Sequence, residues 1–319
     1  MPQTQRDEVV AFVAEWQRKT ELPTAIIIDW LGVGRSKYYD WVGRQGQAKQ
    51  HNSQLPKQNW LTELEKEAIV TYQQSHRQTG YRRMSFMMLD EDVVAVSPSS
   101  VYRVLKEAAL LHKAAPSSSK KGQGFQQPEV AHAHWHIDIS YINISGTFYY
   151  LCAILDGYSR FIVHWDIQPA MTEADVELVL QRARERFPQA RPRIISDNGP
   201  QFIARDFQHF IRLCGMQHVR TSPYYPQSNG KIERWHQTLK RECIRPGTPL
   251  TLNDARRLVS TFVDQYNNHR LHSAIGYITP ADKLVGREEI IFAERREKLA
   301  QARQKRQQFW QGQTAVPAH

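Results

Sequence analysis

Three acidic residues of this chain, Asp138, Asp197 and Glu233, stand where a carboxylate is either costly or well aimed. Asp138 interrupts an apolar alternating run, HWHIDISYINI (134–144). Trp135, Ile137, Ile139 and Tyr141 fall on one side of it and Asp138 on the other. An aspartate in such a strand is expensive to bury unless it is paired or binds metal. Asp197 follows the short run Arg193-Ile194-Ile195 and precedes Asn198-Gly199-Pro200, so a buried strand delivers it into a tight turn facing a cleft. Glu233 lies on a segment of helical period from Lys231 to Arg245. Ile232, Trp235 and Leu239 share one face of it, and Glu233 lies on another with Lys240 two turns further on. Thirty-five residues separate Asp197 from Glu233. Three hard oxygen donors with no cluster of soft ligands nearby suit Mg²⁺ or Mn²⁺, which keep several waters and take substrate phosphate as a further ligand. Two such ions about 3.5–4 Å apart would activate a nucleophile and stabilise the leaving oxygen of an in-line phosphoryl displacement. The plain alternative is three unrelated surface or cap carboxylates. Asp-Asn-Gly alone is a common turn; its combination with a strand aspartate and a helix glutamate is far more specific.

The elements that must position these groups are readable from residue 131 onward. After the first strand, Ser145-Gly146-Thr147 is a turn, FYYLCAIL (148–155) is a continuous apolar strand, and Asp156-Gly157-Tyr158-Ser159 is a second turn. Asp156 reads as a turn residue. A third strand covers Arg160 to Ile167, and short turns between the three predict an antiparallel meander. A helix capped at Thr172 stops before Pro188. The strand into Asp197, a helix from Arg205 to Leu213, a short strand from Gln217 to Thr221, the SPYYPQS loop and the long helix follow. The order β-β-β-α-β-α-β-α is a mixed sheet with helices on its faces.

Ahead of this part the pattern is all helical. Val10, Phe12, Val13 and Trp16 recur at helical spacing, a short apolar helix covers Ala25 to Leu31, Gly32-Val33-Gly34 is a turn, and RSKYYDWVGR (35–44) is a third helix. Short helix, glycine turn and basic-aromatic helix make a helix-turn-helix pattern. Tyr38, Trp41 and Val42 are expected to pack inward, leaving Arg35, Ser36, Lys37 and Arg44 outside for a groove or for phosphates. Residues 46–59 read as a linker. A second unit opens with a capping box, Thr62 with Glu65. It continues through Gly80-Tyr81-Arg82-Arg83 and MSFMML (84–89) to a helix opened by Ser97-Pro98. Val101, Val104, Leu105 and Ala108 are expected inside that helix, and Tyr102, Arg103 and Lys106 outside. The Ser-, Lys- and Gly-rich stretch 113–128 cannot build a core and marks the clearest boundary.

After the long helix, Leu250 to His269 is helical, and residues 288–310 carry Arg295, Arg296, Lys298, Arg303, Lys305 and Arg306. They read as a long exposed helix, for DNA, for a neighbouring subunit or simply for solvent. The last residues are expected to be disordered. The 319-residue chain has 42 Lys+Arg against 32 Asp+Glu, a net charge of +10, which suits a polyanion such as nucleic acid. Cys152, Cys214 and Cys243 are too widely spaced for a zinc finger or a disulfide framework; the first and second read as buried small hydrophobes. No apolar run is long enough to span a bilayer and no signal-peptide core opens the chain, so a soluble protein of a reducing compartment is expected. His132, His134 and His136 alternate on what reads as one strand face, but no fourth zinc ligand accompanies them.

The segment Trp135–His236 resembles the catalytic core of bacterial insertion-sequence transposases of the DDE type, related to retroviral integrases. The resemblance is carried by Trp135-x-x-Asp138 with Ile139, Ser140 and Tyr141, by Leu155-Asp156-Gly157-Tyr158-Ser159-Arg160, by Ser196 to Phe202, and by Pro226 to Arg234. It continues past the core at Tyr266-Asn267, Arg270, His272-Ser273, Gly276-Tyr277 and Pro280. It implies an α/β fold, an RNase H-like mixed-sheet catalytic core (131–246), preceded by all-α helix-turn-helix domains (1–48 and 60–112) and a basic linker (113–130), and followed by a helical C-terminal region with a basic tail (247–319). Carried over position by position, Asp138, Asp197 and Glu233 match the metal-binding catalytic triad, with two Mg²⁺ or Mn²⁺ ions on bound DNA. Lys240, seven residues past Glu233, matches a basic residue that contacts the DNA terminus; a solvated helix lysine is the alternative. Lys231, Arg234, Arg35, Lys37, Arg82, Arg83, Arg103 and Lys106 are the further expected DNA contacts. The implied activity is transposition: recognition of terminal inverted repeats, phosphodiester hydrolysis and strand transfer into target DNA, by a homodimer or larger assembly in the bacterial cytoplasm, nucleoid-associated when on DNA and without a membrane partner. A catalytically silent DNA-binding regulator and an RNase H-like nuclease are the rival readings. Unlike the retroviral relatives, the chain has no cysteine before Cys152, so no His/His/Cys/Cys zinc domain precedes the core.

Overall fold

A computed structural model describes residues 3–46, 59–111, 127–220 and 229–314. Most of the two expected linkers, the SPYYPQS loop and the last residues lie outside these ranges. The chain divides into two compact units, residues 1–60 with 306–319, and residues 61–305.

In the smaller unit, α1 (Gln3–Thr20), α2 (Thr24–Trp30) and α3 (Arg35–Gly43) enclose Val10, Val13, Ile27, Ile28, Tyr38 and Trp41. Gly32 turns the chain between α2 and α3 at φ 64°, a left-handed conformation that glycine adopts without strain. Val42, expected inside, is 41% exposed. Tyr38 and Trp41 already fill the contact of this short helix, and Val42 is rotated about 100° beyond Trp41.

The larger unit opens with α4 (Glu63–Ser75), α5 (Tyr81–Asp90) and α6 (Pro98–Glu107) around Ile69, Met84, Met88, Val101 and Leu105. The capping box is formed: Thr62 Oγ1 accepts from the Glu65 N–H at 3.3 Å, and the Glu65 carboxylate accepts from the Thr62 N–H at 2.9 Å. Ser97 caps α6 with Pro98 in its first turn. Ala108 is exposed rather than inside, because α6 ends at Glu107 and Ala108 is its C-cap.

The sheet follows. Strands β1 (His134–Ile144), β2 (Thr147–Asp156) and β3 (Ile162–Gln168) form the antiparallel meander, and β4 (Arg193–Ser196) and β5 (Gln217–Arg220) join parallel to β1 in the order β3-β2-β1-β4-β5. Between the strands run α7 (Glu173–Arg186), α8 (Pro200–Ile203) and α9 (Arg205–Leu213). From Leu151 onward β2 is buried on both faces, as its apolar run demands. Cys152 and Ile154 join one core with Trp135, Ile137, Val176, Leu180 and Phe207. Leu151, Ala153 and Leu155 join the other with Ile232, Trp235, Leu239, Val259 and Phe262. That second core is closed by α10 (Gly230–Leu239), a π turn at Lys240–Ile244, α11 (Arg245–Gly247) and α12 (Leu252–Asn268). α13 (Pro280–Leu284) and α14 (Glu288–Thr314) complete the chain. This is the expected mixed sheet with helices on its faces, with helical regions before and after it.

The expected exposed helix of the C-terminal region is in part buried. Arg295, 5% exposed, donates to both carboxylate oxygens of Asp90 at 2.7 and 2.6 Å and to the carbonyls of Gly276 and Tyr277. Lys298 reaches Asp92 at 2.6 Å and the Leu89 carbonyl at 3.1 Å. The C-terminal end of α5 and the turn after it thus supply the carboxylates that draw these cations in.

Candidate active site

Strand parity aims Asp138. The odd residues Trp135 and Ile137 enter the core under α7, so Asp138 faces the side on which α10 lies. β1 and β4 pair in parallel at His134↔Arg193, Trp135↔Ile194 and His136↔Ile195. Carried two residues on, that register brings Asp138 beside Asp197, the first residue after β4. Burial pushes the Asp138 carboxyl up to about 7, with further upward pushes from the charges of Asp197 and Glu233. The Ile139 N–H and Lys240 oppose the rise. The three sequence-distant carboxylates therefore share one electrostatic neighbourhood.

Asp197 is exposed in its turn, and its Oδ1 accepts from the Gly199 N–H at 2.9 Å. A Cβ on Gly199 would lie 3.1 Å from that same oxygen, so glycine leaves the carboxylate room. Buried Ser196 braces the turn: its hydroxyl donates to the Asp197 carbonyl at 2.8 Å and lies 2.8 Å from His218 Nε2 on β5. Glu233 is exposed, held over the sheet by Ile232, Trp235 and Leu239 on the opposite face of α10. Among the described residues, no three His, Cys, Asp or Glu side chains stand as a closed set around one ion. Asp197 is turned toward Gly199 and Glu233 toward solvent, so closing the set takes side-chain rotation, a small cost against the repulsion a dication would relieve.

His236, one turn past Glu233, is a residue that spacing did not single out. It is 4% exposed, and its Nε2 lies 3.5 Å from Asp138 Oδ2. Burial, helped by the charge of Lys240, lowers it to about 3, so it is a neutral imidazole beside the carboxyl. Lys240 is half-buried at the start of the π turn; burial lowers its pKa and the Asp138 charge raises it.

The other expected DNA contacts divide. Arg35, Lys37, Arg82, Arg103, Lys106 and Arg234 are exposed. Arg83 is half-buried and donates to the Leu271 carbonyl at 3.0 Å. Lys231 donates to the Gly157 carbonyl at 2.8 Å, and burial, with the nearby charge of Arg160, brings it down to about 7. It pins the 156–159 turn to α10. In that turn Asp156, fully buried, accepts from the His132 N–H at 2.8 Å and from the Ser159 N–H and hydroxyl at 2.7 and 2.6 Å. It is the structural turn residue expected of it. The three histidines do not share a strand face: His132 lies before β1 in a left-handed turn at φ 61°, and its Nδ1 accepts from the Trp135 ring N–H at 3.1 Å. Burial lowers the pKa of all three, His136 to about 3.

Two family models, each described as an integrase core domain, match residues 128–226 and 214–280. The chain is 27% identical over 220 residues to an uncharacterized 39.2 kDa protein of insertion element IS476 from Xanthomonas euvesicatoria, covering 67% of this chain and 62% of that protein. It is also 27% identical over 220 residues to transposase InsD of insertion element IS2 from Escherichia coli, covering 64% of this chain and 73% of that one. The aligned part thus spans less than two thirds of the Xanthomonas relative. A chain of a simian T-cell lymphotropic virus intasome superposes with a TM-score of 0.46 at 18% identity, covering 68% of this chain and 74% of that chain.

Proposed function

We propose, for a chain that belongs to the insertion-element transposases with an integrase core, that it acts on DNA as a DDE polynucleotidyl transferase whose triad is Asp138, Asp197 and Glu233. What supports this reading is the β1–β4 register, which, carried two residues past His136↔Ile195, sets Asp138 level with Asp197 just beyond β4, together with the charges of Asp197 and Glu233 that push on Asp138. The donor set fits Mg²⁺ or Mn²⁺: three carboxylates, hard oxygens throughout, one of them half-buried among like charges. Two such ions, when bound, would lower the pKa of an attacking water and offset charge on the leaving 3′ oxygen.

The chain's own residues do the rest. Burial first, and the charges of Asp197 and Glu233 after it, hold the Asp138 carboxyl near neutrality, and a bound dication would favour its ionised form. His236 packs beside that carboxyl on the buried side. Lys240 places a cation for the phosphate of the DNA terminus. In the first reaction water oxygen joins phosphorus and the 3′ oxygen leaves. In the second that 3′-OH attacks a target phosphodiester, and the target's own 3′ oxygen leaves. The helical units with Arg35, Lys37, Arg82, Arg103 and Lys106, and Arg234 next to Glu233, are assigned to terminal repeats and backbone, whereas Arg83 and Lys231 bind carbonyls within the fold. Both ends of an element must meet, which requires a dimer or larger assembly.

The test is a cleavage and strand-transfer assay on DNA carrying the element's ends, with Mg²⁺ or Mn²⁺. Wild type should nick and join. Asp138→Asn, Asp197→Asn and Glu233→Gln should fall to background while still binding DNA. Equal, background activity in wild type and Asp197→Asn would identify a silent regulator, and nicking without joining a nuclease.

A further inference from the structure

Four arginines, Arg83, Arg160, Arg234 and Arg270, gather with His272 around the buried ring of Tyr266. That ring lies 6.4 Å from the ring of Trp235, next to Arg234 on α10, and 6.1 Å from the ring of His272. The neighbouring Asn267 holds Ile162, two residues past Arg160. Two of the arginines are engaged inside the fold. Arg270 binds both carboxylate oxygens of Glu242, and Arg83 donates to the Leu271 carbonyl at 3.0 Å. The Arg160 guanidinium differs: its Nε and Nη1 are buried and have no hydrogen-bond partner among the described residues. We propose that Arg160 and His272, with Arg234 at the rim, form a site for one phosphodiester of the bound DNA, on the side of the triad away from Lys240. The proposal rests on the transposase reading and adds to it a second phosphate contact, through residues that no step above uses.

A buried guanidinium without a partner is costly, because it loses its water and gains nothing in return. Burial lowers the Arg160 pKa; Tyr266 and Asp156 oppose this, and Arg234 adds to it. Asp156 has no acceptor to spare, since it already takes the His132 N–H, the Ser159 N–H and the Ser159 hydroxyl. Nor does the guanidinium brace its own turn. The turn is closed by the Arg160 backbone N–H, which donates to the Asp156 carbonyl at 2.9 Å, with Arg160 left-handed at φ 68°. His272 adds a donor. Its Nδ1 accepts from the Ala274 N–H at 3.2 Å, which leaves the ring proton on Nε2. Arg234 is exposed and makes no ion pair among the described residues. Two guanidiniums and an imidazole N–H, all donors, match the non-bridging oxygens of a phosphate.

The strands give the site its place. Trp135 pairs with Asp156, to which Arg160 is bonded, so Arg160 stands level with the start of β1. Asp138 lies three residues further along that strand, about 10 Å away. α10 runs beside β1 from the same end: Lys231 meets Gly157, His236 meets Asp138, and Lys240 lines a groove with Ile142. The triad is therefore bracketed, with Lys240 toward one end of β1 and Arg160 toward the other. Successive phosphates of one DNA strand advance about 3.4 Å along the duplex, so the phosphate on Arg160 lies roughly one to three nucleotides from the scissile one. Held from both sides, the scissile phosphate is fixed in direction as well as in position. A free anion would satisfy the same donors, and the test separates the two.

The test is a phosphate-neutralisation scan with the full chain. DNA carrying the element's ends is made with a single methylphosphonate at each position near the cleavage site in turn, and affinity is read by anisotropy. One position should weaken wild-type binding roughly 10-fold, and the same substitution should cost Arg160→Met less than about twofold. Lys240→Ala should keep the full effect at that position and lose it at one on the other side of the cleavage site. Arg160→Lys, which keeps the charge without the planar fork, should retain part of the effect. His272→Asn, whose oxygen can still accept from Ala274, should lessen it at the same position. Without DNA, Arg160→Met should melt no lower than wild type, since Nε and Nη1 make no internal bond. A lower melting temperature, with every position of the scan weakened alike, would make Arg160 a structural residue and overturn the site. So would a scan in which Arg160→Met suppresses no position, or only the one that Lys240→Ala suppresses. Sulfate that raises the wild-type melting temperature without such a position in the scan would mean a free-anion site, and the DNA contact falls. If DNA binds and is nicked with Mg²⁺ while the scan fails, the phosphate site alone is refuted. If no DNA binds, the transposase reading falls with it.

Discussion

At the scale of single residues, Asp138 is defined as much by His236 as by the other carboxylates. A buried neutral imidazole 3.5 Å from Oδ2 restricts how the carboxyl can rotate and adds no charge to compete with a metal ion. His236→Ala should lower metal-dependent turnover by about 10–100-fold, the usual cost of losing such a support. DNA affinity should stay within about twofold, since the phosphate contacts are untouched, and His236→Gln should recover part of the rate. Single-turnover rates beside DNA binding isotherms distinguish this from a general folding defect. His136 supplies a different prediction. Folded, it stays neutral to about pH 3; unfolded, it titrates near 6.5. The unfolded chain therefore binds the proton first, and stability present above about pH 6.5 is lost as pH falls toward 3, by up to roughly 1.4 kcal/mol per unit. Urea denaturation at pH 7.5, 6 and 5 should show the decline, and His136→Gln should show a shallower one. The unusual setting of Asp138 was legible in sequence because a charge inside an apolar run is a visible conflict. His236 was not, because a histidine on a helix shows its partner only when the helix is docked.

At the scale of elements, period and cap signals predicted the meander, the two crossovers and the capped starts of α4, α6 and α7. The π turn was not readable: one extra residue in one turn leaves too little trace in the apolar pattern to separate it from an α-helix. Nor was the role of Asn267, whose partner lies 105 residues away. β3 is an edge strand, paired only with β2. At its start the Asn267 side chain, from α12, accepts from the Ile162 N–H at 2.8 Å and donates to the Ile162 carbonyl at 3.1 Å. It serves as the missing neighbouring strand for one residue and ties the C-terminal helices to the sheet. Asn267→Ala would strand a donor and an acceptor in the interior, at about 1–3 kcal/mol each. Asn267→Asp, which accepts but cannot donate, should lose less than alanine. Denaturant midpoints of the two variants check this order; equal losses would mean that volume rather than hydrogen bonding is at stake.

At the scale of the whole molecule, a net charge of +10 says that a polyanion is favoured but not which cations meet it. Structure sorts them. Arg295 and Lys298 look in sequence like part of a basic tail, yet Asp90, Asp92 and three carbonyls hold them. The reason was hidden because the opposing carboxylates lie some two hundred residues earlier in the chain. Arg82 and Lys106, by contrast, remain exposed. Salt dependence separates the two kinds of cation. Each DNA phosphate neutralised contributes about 0.9 to the slope of log affinity against log salt. Arg82→Ala and Lys106→Ala should each reduce that slope by about 0.9 and weaken binding alike for all sequences. Arg295→Met should leave the slope unchanged and destabilise the fold by about 2–3 kcal/mol. That is below the range for a fully buried pair, because about a third of the Asp90 side chain stays in water. Anisotropy titrations from 50 to 300 mM KCl, about a twofold change in Debye length, resolve one unit of slope. A slope that drops for Arg295→Met instead would mean that α14 opens and presents its cations to DNA.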